Sequence, residues 1–330
     1  MADALPLYAE LHCCSNFSFL RGASHPEELV GRAQALGYSA LAITDEASLA
    51  GAVRAHKAAS ACGLKLIIGA EFHLVNQQGS GYRLVLLAQN RAGYGNLSAL
   101  ITLARRRSRK GEYRLLRGDL EVPGQIAGGS GAVPDCLALW IPDPGASADE
   151  GRWLATHFPA RSWLAIELHA GANDAARLAM LLALAAASGL PAVATGDVHM
   201  HFRARRPLQD TLTAIRLNST LFAAGHALFA NGERHLRSRL RLARIYPPDL
   251  LAETLRIAAR CNFSLDELHY EYPEEVVPDG QTPSAFLRAE VEKGLRQRYA
   301  GSVPGSVRER VEHELALIAD VSRVTVRKAV

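Results

Sequence analysis

Ala40-Leu41-Ala42-Ile43-Thr44 is a short apolar run closed at once by Asp45-Glu46. The stretch from Ser48 to Cys62 then shows helical periodicity and stops at Gly63, and Lys65-Leu66-Ile67-Ile68-Gly69 is apolar again. Apolar runs of this length bounded by polar or breaker residues read as buried strands, and an amphipathic stretch between two of them reads as a crossover helix. The same alternation extends in both directions. Further strands are expected at Tyr8 to His12, Arg83 to Ala88, Cys136 to Ile141, Trp163 to Leu168 and Ala192 to Thr195. A helix over Pro26 to Leu36 has Ser24 as its expected N-cap and Gly37 as its stop. Strand and helix in alternation predict an α/β fold with parallel strands and right-handed crossovers, either a doubly wound sheet or a (β/α) barrel.

Gly111 to Gly131 is rich in Gly, Pro and mixed charge and reads as a long excursion from the barrel. Beyond Thr195 the pattern becomes helical, at Leu208 to Arg216, Pro248 to Arg260, Pro283 to Arg298 and Val307 to Asp320, with a Pro-rich acidic stretch from Tyr272 to Thr282. The expected organisation is a barrel core over residues 1–205, a helical extension over 206–272, and a linker with the start of a further region over 273–330.

With 330 residues, 48% of them apolar, the chain can bury a large core. Its five cysteines are an odd number without framework spacing, and no window of about twenty apolar residues occurs, so a reducing cytoplasm and no membrane association are expected. The net charge is only +4. The basic residues cluster, however, at Arg105, Arg106, Arg107, Arg109 and Lys110, at Arg203 to Arg206, and from Arg234 through Arg237 to Arg244. Such clusters are either solvated helix faces or contacts to phosphate, which makes Arg105–Arg107, Arg109, Lys110, Arg234 and Arg237 candidate DNA contacts. There is no glycine-rich phosphate loop and no Gly-x-Ser-x-Gly elbow, and Cys13-Cys14 lacks the two-residue gap of redox or zinc pairs.

The residues able to bind metal fall at the carboxyl ends of the expected strands: His12, Asp45 with Glu46, Glu71 with His73, Glu167 with His169, and Asp197 with His199. A lone histidine after a strand is ordinarily a loop residue, but barrels and open sheets alike gather their functional groups at that end. Asp197 and His199, at i and i+2 of an extended segment, project to the same side. Imidazoles and carboxylates together suit Zn²⁺ or Mn²⁺, and two or three such ions about 3.5–4 Å apart could activate water against a phosphate ester.

Three groups of stretches carry a resemblance. The first is Leu11 to Ser24, the second Ala42 to Glu46 with Leu66 to Phe72, and the third Leu86 to Asn90, Gly196 to His201 and Asn231 to Leu236. In this order they resemble the start of the bacterial error-prone polymerases of the C family, within the wider polymerase and histidinol phosphatase (PHP) domains. The resemblance implies a distorted (β/α)7 barrel with a multinuclear metal site, followed by a mainly helical segment. It carries His12, Asp45, Glu71, Asp197 and His199 over as metal ligands. Cys14 and Glu46 stand where the family has histidines, and His169 lies near another. Those replacements put a full trinuclear centre in question and favour a scaffold over a phosphoesterase or exonuclease; a metal-free interaction module is the further alternative. The polymerase relatives carry their catalytic carboxylates and Mg²⁺ in a palm domain beyond this region. The resemblance therefore implies that this chain alone does not synthesise DNA, that its tail after Ala319 reads as a truncated end, and that its partners are DNA and the palm and thumb of the longer polymerase.

Overall fold

The computed structural model describes residues 5–75, 81–121, 133–268, 277–278, 280–299 and 301–328. Eight strands make one sheet: β1 Ala9–Glu10, β2 Ala40–Glu46, β3 Lys65–Val75, β4 Gly81–Ala88, β5 Leu115–Leu116, β6 Cys136–Ile141, β7 Ser162–Glu167 and β8 Ala192–Thr195. Seven of them follow one another as β1-β2-β3-β4-β6-β7-β8, and β5 pairs with β3 to the side. The two ends of this path meet just beyond β1 and β8, where Cys13 and Val198 form a parallel bridge. The Val198 N–H donates to the His12 carbonyl and the Cys14 N–H to the Val198 carbonyl, each at 2.9 Å. That closure turns the sheet into a seven-stranded barrel, distorted because β1 and β8 touch only at their carboxyl ends.

One strand departs from the all-parallel expectation. β3 runs on past Gly69 to Val75 and pairs antiparallel with β4, which pairs antiparallel with β6. Only residues 76–80 separate β3 from β4, and a parallel connection needs a dozen residues or more. Because β4 is reversed, its first residues lie at the same end of the barrel as the carboxyl ends of the parallel strands.

Alternation along the strands sorts the core into two layers. Ala40, Ala42, Ile67, Val85, Leu87, Leu139, Trp163 and Val193 pack together with Ile257 and Ala258 of the helix Pro248–Arg260. Leu41, Ile43, Leu84, Leu86, Leu164 and Ile166 face the other way and pack with Leu29, Leu97, Leu154 and Leu181 of the surrounding helices. The first layer is the barrel interior, plugged at its amino end by Pro248–Arg260. There Thr254 accepts the Ala9 N–H at 3.1 Å and Glu253 accepts the Trp163 indole N–H at 2.8 Å. The opposite, carboxyl end stays open for polar groups.

The helix Pro26–Ala35 is capped by His25, not Ser24; the Ser24 hydroxyl instead meets His201 Nδ1 at 2.7 Å. The next helix begins at Ala52 and ends at Cys62, with Gly63 at φ +70°, a conformation that costs glycine little. Two compact units are distinguished, residues 1–268 and 269–330. The second contains the helices Pro283–Arg298 and Gly305–Lys328, joined by bidentate pairing of Arg288 with Glu312 and by Arg308 with Glu292. The expected excursion from Gly111 to Gly131 holds β5 and a 3-10 turn at Arg117–Leu120, and its remainder from 122 on lies outside the described residues, as does most of the acidic stretch from Tyr272.

Candidate metal centre

His12 leaves β1 buried, with both ring nitrogens engaged. Nδ1 lies 2.7 Å from Glu167 Oε1 and Nε2 lies 3.2 Å from Glu71 Oε2. Asp197 Oδ1 is 3.9 Å from His12 Nδ1 and 2.9 Å from His199 Nε2. The open end of the barrel thus gathers groups from β1, β3, β7 and β8. His12, Glu167 and Asp197 are the one group of three such donors among the described residues whose ligand atoms lie within 4.8 Å of one another. Asp197 adopts φ +43°, a strained conformation for a side chain other than glycine, and so turns its carboxylate inward.

The backbone beneath is held by Glu10. Its buried carboxylate accepts the N–H groups of Leu11, His12 and Gly196 and the Tyr8 hydroxyl, all at 2.9–3.1 Å. Glu10 thereby ties the ends of β1 and β8 where ladder hydrogen bonds are missing. A Cβ on Gly196 would lie 2.3 Å from Glu10 Oε2, so that position has room only for glycine.

Three guanidinium groups reach into the same carboxylates. Arg21 bonds Glu46 at 2.5 Å and Glu71 at 3.1 Å, Arg83 bonds Glu167 Oε2 at 3.0 Å, and Arg234 pairs with Asp197. Burial raises the cost of charge on Glu71 and Glu167, yet Arg21 beside the first and Arg83 beside the second hold both well below the usual carboxylate range. Burial opposes protonation of His12, but the hydrogen bonds that Glu167 and Glu71 accept from its ring outweigh it and raise its pKa to about 9. The carboxylates of Glu46, Glu71, Glu167 and Asp197 thus face the guanidinium groups of Arg21, Arg83 and Arg234 and the ring of His12. The charge that bound metal ions would neutralise is already met by protein cations.

The other residues expected at this site are distributed differently. Glu46 lines the pocket above it, a cavity of about 270 Å³, and also accepts the Tyr113 hydroxyl at 3.0 Å. Asp45 turns away. Its carboxylate accepts the Ser15 N–H at 2.7 Å and the hydroxyls of Ser15 and Ser18 at 2.8 Å, so it organises the loop after β1 and is not part of the three-donor group. His169 is spoken for as well, with Nε2 3.1 Å from the Gly196 carbonyl, and burial with the neighbouring Arg234 lowers its pKa to about 3. Cys14 is buried and is not part of the three-donor group.

Two of the expected DNA contacts need correction. Arg237 is 2% exposed and donates to the Leu168 carbonyl at 2.8 Å, and Arg234 pairs with Asp197. Arg105 folds back onto the Ala47 carbonyl and the Tyr113 ring, and Arg107 pairs with Asp119 at 2.7 Å. Arg106, Arg109 and Lys110 remain exposed. Sequence reasoning placed Glu167 at a strand end without choosing it, although Glu167 shares the inward parity of Ala165. It missed Arg83 because the reversal of β4, which puts Arg83 opposite His73, carries no signal in the β4 residues themselves. Arg21 lies in a loop and had none.

Residues 10–125 match the PHP domain family. The chain is 66% identical over 319 residues to an error-prone DNA polymerase of Dechloromonas aromatica, covering 97% of this chain and 30% of that protein. It is 57% identical to an error-prone DNA polymerase of Azoarcus sp., over 96% of this chain and 32% of the relative. The chain therefore spans about 30% of the length of the curated relatives it matches. A solved structure described as a metal-dependent phosphoesterase from Bifidobacterium adolescentis superposes with a TM-score of 0.41 at 18% identity, over 59% of this chain and 89% of the other. At that level the likeness says nothing about activity. Among the described residues no helix is long and apolar enough to cross a membrane.

Proposed function

We propose that this chain, whose barrel is a PHP domain of the error-prone DNA polymerase type, serves as the structural platform of such a polymerase and not as a phosphoesterase in its own right. The observation that carries this reading is the ring of guanidinium groups. Arg21, Arg83 and Arg234 pair with the carboxylates that a multinuclear centre would need free. The donors present fit one divalent ion, held by His12, Glu167 and Asp197 with His199 adjacent. When bound, such an ion would supply Lewis acidity and an activated water. The chain's own residues hold both ring nitrogens of His12 and both oxygens of Glu167 in hydrogen bonds, which is the arrangement of a lock and not of an open ligand set. Zn²⁺ or Mn²⁺ is the ion such nitrogen and oxygen donors select.

In this reading the work of DNA synthesis in damaged-template repair falls to the palm and thumb of the longer protein, with DNA as the shared partner and the cytoplasm as its place. The palm would hold Mg²⁺ on carboxylates beside the primer end, an arrangement the imidazoles and arginines here cannot replace. Primer extension with the purified chain, all four deoxynucleotides and Mg²⁺ or Mn²⁺ tests this directly. No extension and no release of terminal nucleotides is expected, together with less than one metal ion per chain by mass spectrometry. Nucleotide release that disappears in Asp197→Ala would instead establish the phosphoesterase reading, which the compact His12, Glu167 and Asp197 group favours.

A further inference from the structure

The helix Arg206–Arg216 turns a polar stripe toward the barrel. Gln209, Thr213 and Arg216 fall at i, i+4 and i+7, Gln209 and Thr213 are buried, and Gln209 and Arg216 line the cavity of about 270 Å³ over the carboxylates. Two groups of this stripe are left over. Gln209 is 2% exposed, and its Oε1 is buried without a hydrogen-bond partner among the described residues. Arg216, exposed at the rim, has no carboxylate partner among the described residues. Leaving a buried acceptor unmet is costly, so one retained beside a cavity marks a place for a group that meets it. Arg21, Arg83 and Arg234 also reach the cavity, against two lining carboxylates, Glu46 and Asp197. A guanidinium group carries five N–H donors. Arg83 commits Nη2 to Glu167, while its Nε is buried without a hydrogen bond. The wall therefore combines spare cationic donors with one spare neutral acceptor.

We infer that this cavity binds a small phosphate monoester carrying a free hydroxyl, as sugar phosphates and mononucleotides do, through side chains alone and without a metal ion. The inference rests on the platform reading above, in that guanidinium groups and not ions face the ligand. Phosphate is the anion that guanidinium groups arriving from several directions can share, because it offers them several oxygens at once. The hydroxyl follows from Gln209. An anionic oxygen has no proton for the Gln209 Oε1, whereas a hydroxyl both donates and accepts and so satisfies the amide in either of its two orientations. The backbone within a DNA strand fits less well, since both sugar oxygens are esterified there and no hydroxyl remains.

Isothermal titration calorimetry on the chelator-treated chain at low salt tests this, with glycerol phosphate, deoxyadenosine monophosphate and propyl phosphate as probes. The two hydroxyl-bearing esters should bind about tenfold more tightly than propyl phosphate, and Gln209→Leu should abolish that difference. Arg216→Gln should weaken all three about tenfold and leave the melting temperature unchanged, because its side chain is exposed. Glycerol phosphate binding as tightly as deoxyadenosine monophosphate assigns the cavity to sugar phosphates, and a preference for the nucleotide assigns it to mononucleotides; either supports the inference. No binding of any ester, equal binding of all three, or affinities that neither substitution changes overturns it and leaves the platform reading standing. Binding that requires added Mn²⁺ overturns it as well, and release of inorganic phosphate in that sample overturns the platform reading with it.

Discussion

Replacing Arg83 by methionine is the sharpest probe of the guanidinium lock. Glu167 is buried, and Arg83 supplies its Oε2 with a charged hydrogen bond at 3.0 Å. Removing one partner of a buried pair costs roughly 3–5 kcal/mol. Here the loss is smaller, because Arg83 retains some solvent access and His12 still holds the other Glu167 oxygen at 2.7 Å. About 2–3 kcal/mol is expected, a drop of several degrees in melting temperature for a chain of this size. The same free energy is what an ion must supply to displace Arg83 in the parent protein, so Zn²⁺ or Mn²⁺ should bind Arg83→Met about 30- to 150-fold more tightly. At a hundredfold excess over its dissociation constant the ion returns about 2.7 kcal/mol, which restores the melting temperature nearly to the parent value. Thermal melts in chelator and across a metal titration measure all three quantities. The reasoning fails if Arg83→Met melts with the parent in chelator, or if both proteins gain equally from metal.

Further outcomes follow from neighbouring residues. Gly196→Ala pushes a methyl group to within 2.3 Å of Glu10 Oε2, and should destabilise the fold by roughly 1–3 kcal/mol in chemical denaturation and disturb the position of Asp197. Asp45→Ala strips the loop after β1 of its carboxylate acceptor and should cost about 2–3 kcal/mol. Metal affinity measured in the Arg83→Met background should nonetheless stay constant, whereas an affinity loss as large as that of Asp197→Ala would make Asp45 a ligand. His12 titrates near 9 in the fold against about 6.5 unfolded, so the stability it confers, up to about 3 kcal/mol, is complete below pH 6.5 and lost as pH rises through 9. Denaturant midpoints should fall across that interval, and His12→Asn should flatten the profile. Arg106→Glu/Arg109→Glu/Lys110→Glu should weaken the salt-dependent binding of duplex DNA by the chain, measured by anisotropy, while Arg237→Met should alter stability and leave the salt slope unchanged.

What could be read from the sequence was whatever periodicity records. The inward parity of Ala40 and Ala42 against Leu41 and Ile43 is written in the residues, and so are the polar groups that follow each strand. Direction is not written there. β4 looks like every other strand, and only the five residues before it reveal that it must reverse; with that reversal goes Arg83, whose place at the start of a strand would otherwise have put it at the far end of the barrel. Asp45 shows a second limit. It follows β2 as a ligand should, but the two serines across the loop claim its oxygens, and a hydroxyl thirty residues away leaves no trace in local pattern. The arginines mark the third. Arg21 in a loop and Arg234 in a basic run read as surface charge, because composition counts cations without showing which carboxylates they meet. The same strand-end acids are compatible with an open metal centre or a closed lock, and the difference lies wholly in three side chains that arrive from outside the parallel strands. Guanidinium groups and ions can meet the same buried carboxylates, so the shape of the barrel does not by itself distinguish an open centre from a closed one.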